Sequence, residues 1–254
     1  MASPARKSAA ASPPRILVKP GRFRNALLNA LDADTIGRLH LRPVTFEMEH
    51  EIEFPGSTID HLYFIEEGMA SMTTTFRNGS QVEVGMFGYK SAIGVSALMG
   101  TRRSLNRVYT QIPGHGYASP LEIAGREFDL GGRFQRLTLA YVQAQLVQVI
   151  QLAACNATHN FEQRLARWLL ICADRAQCDT FAMSHEFLSE MLGSTRSTMS
   201  ITAALLKHEN LIEYSRGVIH ILDLKGLEKR SCECYRVVEK YLDNYVQFDS
   251  GITS

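Results

Sequence analysis

The chain carries almost no net charge: 27 Lys and Arg stand against 26 Asp and Glu, a formal +1 over 254 residues. Bulk attraction to a polyanion is therefore excluded, and any basic surface must be local. Long apolar runs are lacking too. Polar or charged residues interrupt each run before the roughly 20 residues needed to cross a bilayer, so neither a membrane span nor a membrane partner is expected. No C-x-x-C pair occurs. The five cysteines, Cys155, Cys172, Cys178, Cys232 and Cys234, all lie in the second half, a usage that suits reduced thiols in a cytoplasm. Cys232 and Cys234 form the only close pair; on one helix they would face different ways, and no metal site is expected. Residues 1–20 lack the apolar stretch of a secretory signal and read as a disordered tail carrying Arg6, Lys7, Arg15 and Lys19. The histidines do not converge: His50, His61 and His115 are scattered, and His185 and His208 fall on later helices. Without a set of acids, bases or metal ligands, no catalysis is expected.

What is present is ordinary globular composition, 45% hydrophobic and 21% charged, in a length sufficient for two modest domains. From Arg22 to Leu39 the apolar residues recur at helical spacing, broken near Asp32 and Asp34, which predicts two short helices. After Pro43 short β-type runs alternate with turn signals at Pro55-Gly56, Glu67-Gly68, Asn78-Gly79 and Pro113-Gly114. Asn78-Gly79 predicts a hairpin with a two-residue turn in which both residues take positive φ. Strands this short and this closely spaced predict a roll or barrel rather than a βαβ unit. Gly88, Gly94 and Gly100 lack the order of a phosphate-binding loop and serve as turn and packing positions.

The stretches Glu53-Phe54-Pro55-Gly56, His61 to Gly68 and Gly85-Met86-Phe87-Gly88 resemble the cyclic-nucleotide-binding-like sensor domain of the Crp/Fnr regulators. The resemblance implies a β-roll that holds an effector in its interior, with Gly88, Tyr89, Lys90 and Arg107 as candidate pocket residues. It also implies a departure. Nucleotide-binding members carry a Glu soon after the glycine matching Gly88, yet residues 89–100 contain no carboxylate, and Val108 follows Arg107 where Ser or Thr would be needed. Cyclic nucleotide is therefore not the expected effector, and no cofactor is assigned. The N-terminal cysteine cluster of the family's oxygen-sensing branch is missing as well.

From Arg133 onward Leu139, Val142, Leu146, Val149 and Ala153 step along in threes and fours, the spacing of a helix seam, while Phe134, Leu137, Tyr141 and Ile150 mark a second apolar face. One face suits the β-roll and the other a second copy of the chain. Gly131-Gly132 suits a helix boundary or hinge. Further on, Ser184 caps a short helix ending near Leu192, Gly193 stops it, Ser194 or Thr195 caps the next, and that helix runs to about Glu209 burying Met199, Ala203 and Leu206. Two short helices joined through glycine make a helix-turn-helix. Its second helix presents Thr195, Arg196, Ser197 and Ser200 to base edges; Ser184, Thr198, Lys207 and Arg216 are candidate phosphate contacts. Asn210 to Ile221 reads as strand, turn, strand: a wing.

The run from Glu162 through Arg216-Gly217 is similar to the Crp-type DNA-binding domain, in which Arg196 falls where that family places a base-reading arginine. Ser197 replaces a frequent glutamate there and Ile201 a frequent second arginine. The expected fold is thus α+β: a tail (1–20), a jelly-roll-like β-roll sensor (21–132), a dimerisation helix (133–158), a winged helix-turn-helix (159–230) and a C-terminal helix with its tail (231–254). The resemblance implies a homodimeric transcription regulator with duplex DNA and RNA polymerase as partners. Two other readings stay open at this point: a cyclic-nucleotide-binding signalling protein, and a dimeric scaffold whose helix-turn-helix contacts protein.

Overall fold

The structure, a computed structural model, describes residues 23–247; the tail expected over residues 1–20 lies outside the described residues. Two short helices, α1 (Ala26–Asn29) and α2 (Ala33–Arg38), open the chain, the second capped by Asp32, whose carboxylate accepts from the Thr35 amide. Six strands follow: β1 (Arg42–Phe46), β2 (Glu51–Glu53), β3 (His61–Thr75), β4 (Gln81–Phe87), β5 (Ala92–Ile93) and β6 (Arg107–Pro120). They form one antiparallel sheet in the order β1-β6-β3-β4, with β2 also on β6 and β5 on β3.

Two predicted turns are not turns. Glu67-Gly68 lies inside β3 and Pro113-Gly114 inside β6, strands of 15 and 14 residues that pair along most of their length with register shifts near Glu67. The glycines serve close backbone approach: a Cβ on Gly114 would fall 1.9 Å from the Glu67 carbonyl oxygen, and one on Gly68 2.5 Å from that of Ile112. Bulged strands bend at such points, which curls the sheet into a roll. The hairpin at Asn78-Gly79 is present, but its connection is longer than expected. Only Gly79 has positive φ (+84°), and the Asn78 side chain instead accepts from the Ser80 amide at 3.1 Å.

Then come α3 (Leu121–Asp129) and the long α4 (Arg133–Thr158), separated by Gly131 at φ +69°. Phe134, Leu137, Tyr141 and Ala144 of α4 are buried, Phe134 and Tyr141 in one core with Leu62 and Phe64 of β3. Ile150, expected on this face, is 59% exposed and joins Leu139, Leu146 and Val149 on an open apolar strip. Beyond Arg136 the residues that interrupt the apolar run of α4 are polar, chiefly glutamines, with no charge among them, and by length and composition this helix is apolar enough to cross a membrane.

The C-terminal part comprises α5 (Phe161–Ala176), β7 (Thr180–Ala182), α6 (His185–Met191), α7 (Arg196–His208), β8 (Ile212–Ser215), β9 (Val218–Ile221), α8 (Leu224–Arg230) and α9 (Cys234–Asn244). It is not a bead on a string. Val238, Leu242 and Tyr245 of the last helical stretch pack into a core with Phe64 of the sheet and Tyr141 of α4, while Met69 and Met86 of the sheet belong to the core built on α5.

Between the two parts lies a buried polar relay. Trp168 of α5 donates from Nε1 to Glu83 Oε1 at 2.8 Å, and Ser71 Oγ stands 2.8 Å from Glu83 Oε2 and against Gln111 Oε1. Ser71 donates to Glu83 Oε2, so the buried carboxyl accepts from both Trp168 and Ser71. Burial pushes the Glu83 carboxyl up to about 7, against the lowering effect of the Ser71 and Trp168 hydrogen bonds. The folded state thus holds the Glu83 proton more tightly than the unfolded chain, so stability falls as pH rises from about 4.5 to 7 and levels off above. Glu83→Gln is expected to flatten this slope and to gain up to about 3 kcal/mol relative to wild type at pH 8, measured as denaturant midpoints across pH; parallel profiles would refute the relay.

Candidate nucleic-acid interface

The second helix of the pair is presented by a chain of local choices. Ser184 caps α6, its Oγ accepting from the Phe187 amide at 3.1 Å, and Leu188 and Met191 bury the inner face. Gly193 then takes φ +59°, a left-handed conformation that ends the helix at little cost to glycine. Thr195 caps α7, accepting from the Thr198 amide at 3.1 Å, with the two hydroxyls 2.9 Å apart. Helix α7 buries Met199, Thr202, Ala203 and Leu206. Its outer face shows Arg196, Ser197, Ala204 and Ile201, the last 69% exposed.

The residues expected to read bases therefore differ in availability. Arg196 and Ser197 are exposed at the first turn of α7, and Arg196 makes no ion pair among the described residues. Thr195 and Thr198 are engaged in the cap. Ser200 is half-buried with its Oγ 3.0 Å from His185 Nδ1, and the His185 ring stacks on Tyr214 of β8 at 4.1 Å between centroids, 17° between planes. Burial, and then the Arg196 charge, hold His185 below the usual histidine pKa. A largely neutral ring thus ties α6, α7 and the wing together. In sequence Ile201 stood out only as replacing an arginine frequent in the similar family, and His185 only as a histidine on a later helix. Exposure of a large apolar side chain on α7 is visible only once the buried face is known.

The wing turns at Arg216-Gly217, both at positive φ (+52° and +78°), the signature of a two-residue hairpin turn. Arg216 is exposed at its tip. Lys207, expected on phosphate, instead pairs with Glu213 and lies 3.4 Å from the Tyr214 carbonyl oxygen, bracing the wing. The wing gains a third strand, since β7 pairs with β9; three residues, Thr180 to Ala182, are too few for periodicity to reveal.

The candidate effector residues are not gathered into one pocket. Gly88, Tyr89 and Lys90 sit where the roll meets α5 and α9; Lys90 pairs with Asp174 at 3.1 Å, Glu239 at 2.9 Å and Asp243 at 2.7 Å. Arg107 is held by Glu51 at 2.7 Å and Gln81 at 3.1 Å. A cavity of about 280 Å³ lies elsewhere, between the roll and α4, with Phe87, Val108 and Gln145 in its wall. Its charged wall residue is Glu53, whose carboxyl burial pushes up and which accepts from Ser104 Oγ at 2.6 Å.

Residues 163–230 match the Crp-like helix-turn-helix domain. The global nitrogen regulator of Nostoc is 24% identical over 188 residues, covering 70% of this chain and 83% of the relative. That of Synechococcus elongatus is 23% identical over 217 residues, covering 81% and 97%. Among solved structures, a transcriptional regulator of the Crp/Fnr family from Eubacterium rectale shares the fold with a TM-score of 0.65 at 18% identity, over 84% of this chain and 99% of that one. FixK2 from Bradyrhizobium japonicum also gives a TM-score of 0.65, at 14% identity over 76% and 98%.

Proposed function

We propose that the chain is a DNA-binding transcription regulator of the Crp/Fnr type that acts as a homodimer, its paired α7 helices reading a two-fold-related operator. The observation that carries the reading is Arg196, exposed and without an ion pair among the described residues, at the start of α7 immediately behind the Gly193 turn. A guanidinium so placed reaches guanine O6 and N7 as a bidentate donor. Ser197 stands beside it, and Ile201, one turn on, offers an apolar contact to a thymine methyl group. The Thr195 and Thr198 hydroxyls and Ser184 at the α6 cap position the helix on the backbone, Arg216 reaches a neighbouring phosphate from the wing, and Lys207 acts through the wing it braces. The enzyme alternative has no support, as the named relatives are regulators.

The dimer follows from α4. Leu139, Leu146, Val149 and Ile150 are 40–59% exposed along one strip, and a continuous apolar strip on a long helix is covered by a second copy at a two-fold axis. Two α7 helices then span consecutive major grooves about 34 Å apart. The partners are duplex DNA and, at promoters, RNA polymerase; the location is the cytoplasm, where the chromosome lies.

The cavity beside α4 is the effector site in this reading, and its occupant is not a cyclic nucleotide. Among the described residues its wall holds a carboxylate and no Arg, Lys or His, so a phosphate would be desolvated there against like charge without a compensating cation. An occupant here touches both the roll and the dimer helix, and biases their relative position.

Three measurements test this. Arg196→Ala should weaken operator binding by about 5- to 150-fold (about 1–3 kcal/mol) and relax selectivity at one base pair per half-site, whereas Arg216→Ala should weaken all sequences alike and lower the salt slope by about 1; an Arg196→Ala protein with unchanged operator occupancy would sink the assignment. Leu146→Glu should give a folded monomer by sedimentation, and a persistent dimer would place the interface elsewhere. Titration calorimetry with cyclic AMP and cyclic GMP should give no heat of binding; stoichiometric binding would reverse the effector reading.

A further inference from the structure

Three cysteines and a histidine, separated by up to 79 positions in sequence, meet at the corner where α4 ends and α9 begins. Cys155 lies in the last turn of α4 and His159 is its C-terminal cap; Cys234 is the first residue of α9. Cys232 precedes that helix rather than lying on it. The two cysteines are therefore not bound to opposite faces, which was the reason no metal site is expected from sequence. One ligand atom from each of the four residues lies within 4.8 Å of all the others. Cys155 and Cys232 Sγ are 3.5 Å apart, and Cys234 Sγ is 3.6 Å from His159 Nδ1. An ion bound tetrahedrally at about 2.3 Å from sulfur and 2.0 Å from nitrogen holds its ligand atoms about 3.5–3.8 Å apart. An iron–sulfur cluster divides its ligands among two or more iron atoms, which sets some of them farther apart than this.

The surroundings suit such an ion. The three cysteines are at most 3% exposed. Glu233 Oε2 lies 3.4 Å from His159 Nε2, leaving Nδ1 turned to the sulfurs; a carboxylate on the remote nitrogen orients a metal-bound histidine. Gln151 Nε2 donates to Cys234 Sγ at 3.1 Å. Three thiolates on a divalent ion leave a net negative charge, and the buried Arg167, whose Nε has no hydrogen-bond partner, interacts electrostatically with Cys155. Four protein ligands close the coordination shell, as in a structural site, and thiolate-rich tetrahedral geometry selects zinc.

We propose that Cys155, His159, Cys232 and Cys234 hold one zinc ion that locks the end of α4 to the α8–α9 corner. The lock spans the point where α4 hands over to α5, and so fixes the angle at which the helix-turn-helix leaves the dimer helix; this last consequence rests on the DNA-binding reading.

The test uses the full chain, loaded with zinc, dialysed and assayed for metal by mass spectrometry. One zinc per chain is expected, and cobalt substitution should give the intense visible bands of tetrahedral thiolate coordination. Cys234→Ser should lose the metal. Glu233→Gln, outside the ligand set, should keep one zinc per chain but bind it about 10- to 100-fold more weakly. Protein that retains no zinc and takes up no cobalt, that carries a Cys155–Cys232 disulfide when isolated, or that shows an iron–sulfur chromophore overturns the site. Operator affinity is measured separately with and without a zinc chelator. A loss on chelation supports the lock, and affinity indifferent to metal overturns it while leaving DNA binding intact. No operator binding in either state counts against the DNA reading, and the metal assay then decides the site alone.

Discussion

The structure depends on a knot of charge buried where the sheet meets the C-terminal helices. Lys90, Arg175 and Glu239 are 6%, 1% and 4% exposed, with Asp174 beside them. Burial disfavours the Lys90 ammonium, yet Asp174 and Glu239 outweigh it and raise its pKa; burial likewise opposes the Glu239 carboxylate, which Arg175 and Lys90 hold well below the usual range. Charges so placed are tolerated only as a complete set, because removing one strands its partners away from water. Three segments distant in sequence are thereby forced into one geometry. Gly88 belongs to the same joint, since a Cβ there would fall 2.6 Å from the Arg175 carbonyl oxygen.

With α5 seated in this way, the rest of the C-terminal part takes its place from it. Trp168 reaches into the sheet to Glu83, and the core around α5 includes Met69 and Met86 of the roll. The DNA-binding helices are then held to one another by the His185 ring between Ser200 and Tyr214. The roll is thus joined to the C-terminal part through packed and hydrogen-bonded contacts rather than through a loose linker.

Much of this was legible in the residues. Ser184, Gly193 and Thr195 are capping and stopping residues whose chemistry is local, so both helices of the pair and the turn between them follow from sequence, as does the wing turn at Arg216-Gly217. The apolar spacing of α4 likewise follows. Glu67-Gly68 and Pro113-Gly114 misled, because glycine marks a turn and a close strand crossing with the same letter, and only the pairing of β3 with β6 tells them apart. Ile150 misled for a related reason: spacing gives the face of a helix, not what covers it. The candidate effector residues came from family likeness at Gly88 and Arg107, whereas the cavity is walled by segments that no local pattern joins.

Elements whose cause lies within a few residues follow from the chain alone: caps, left-handed glycines, helical and alternating periodicity, and the outward arginine behind the helix-turn-helix turn. Tertiary structure alone decided what depends on segments meeting. It put Lys90 among Asp174, Glu239 and Asp243, Lys207 against Glu213, and Cys155 beside Cys232 across 77 positions. The physical reason is range: backbone preferences act between chain neighbours, whereas charge compensation, metal-ligand geometry and cavity walls are properties of groups that only folding brings within a few ångströms.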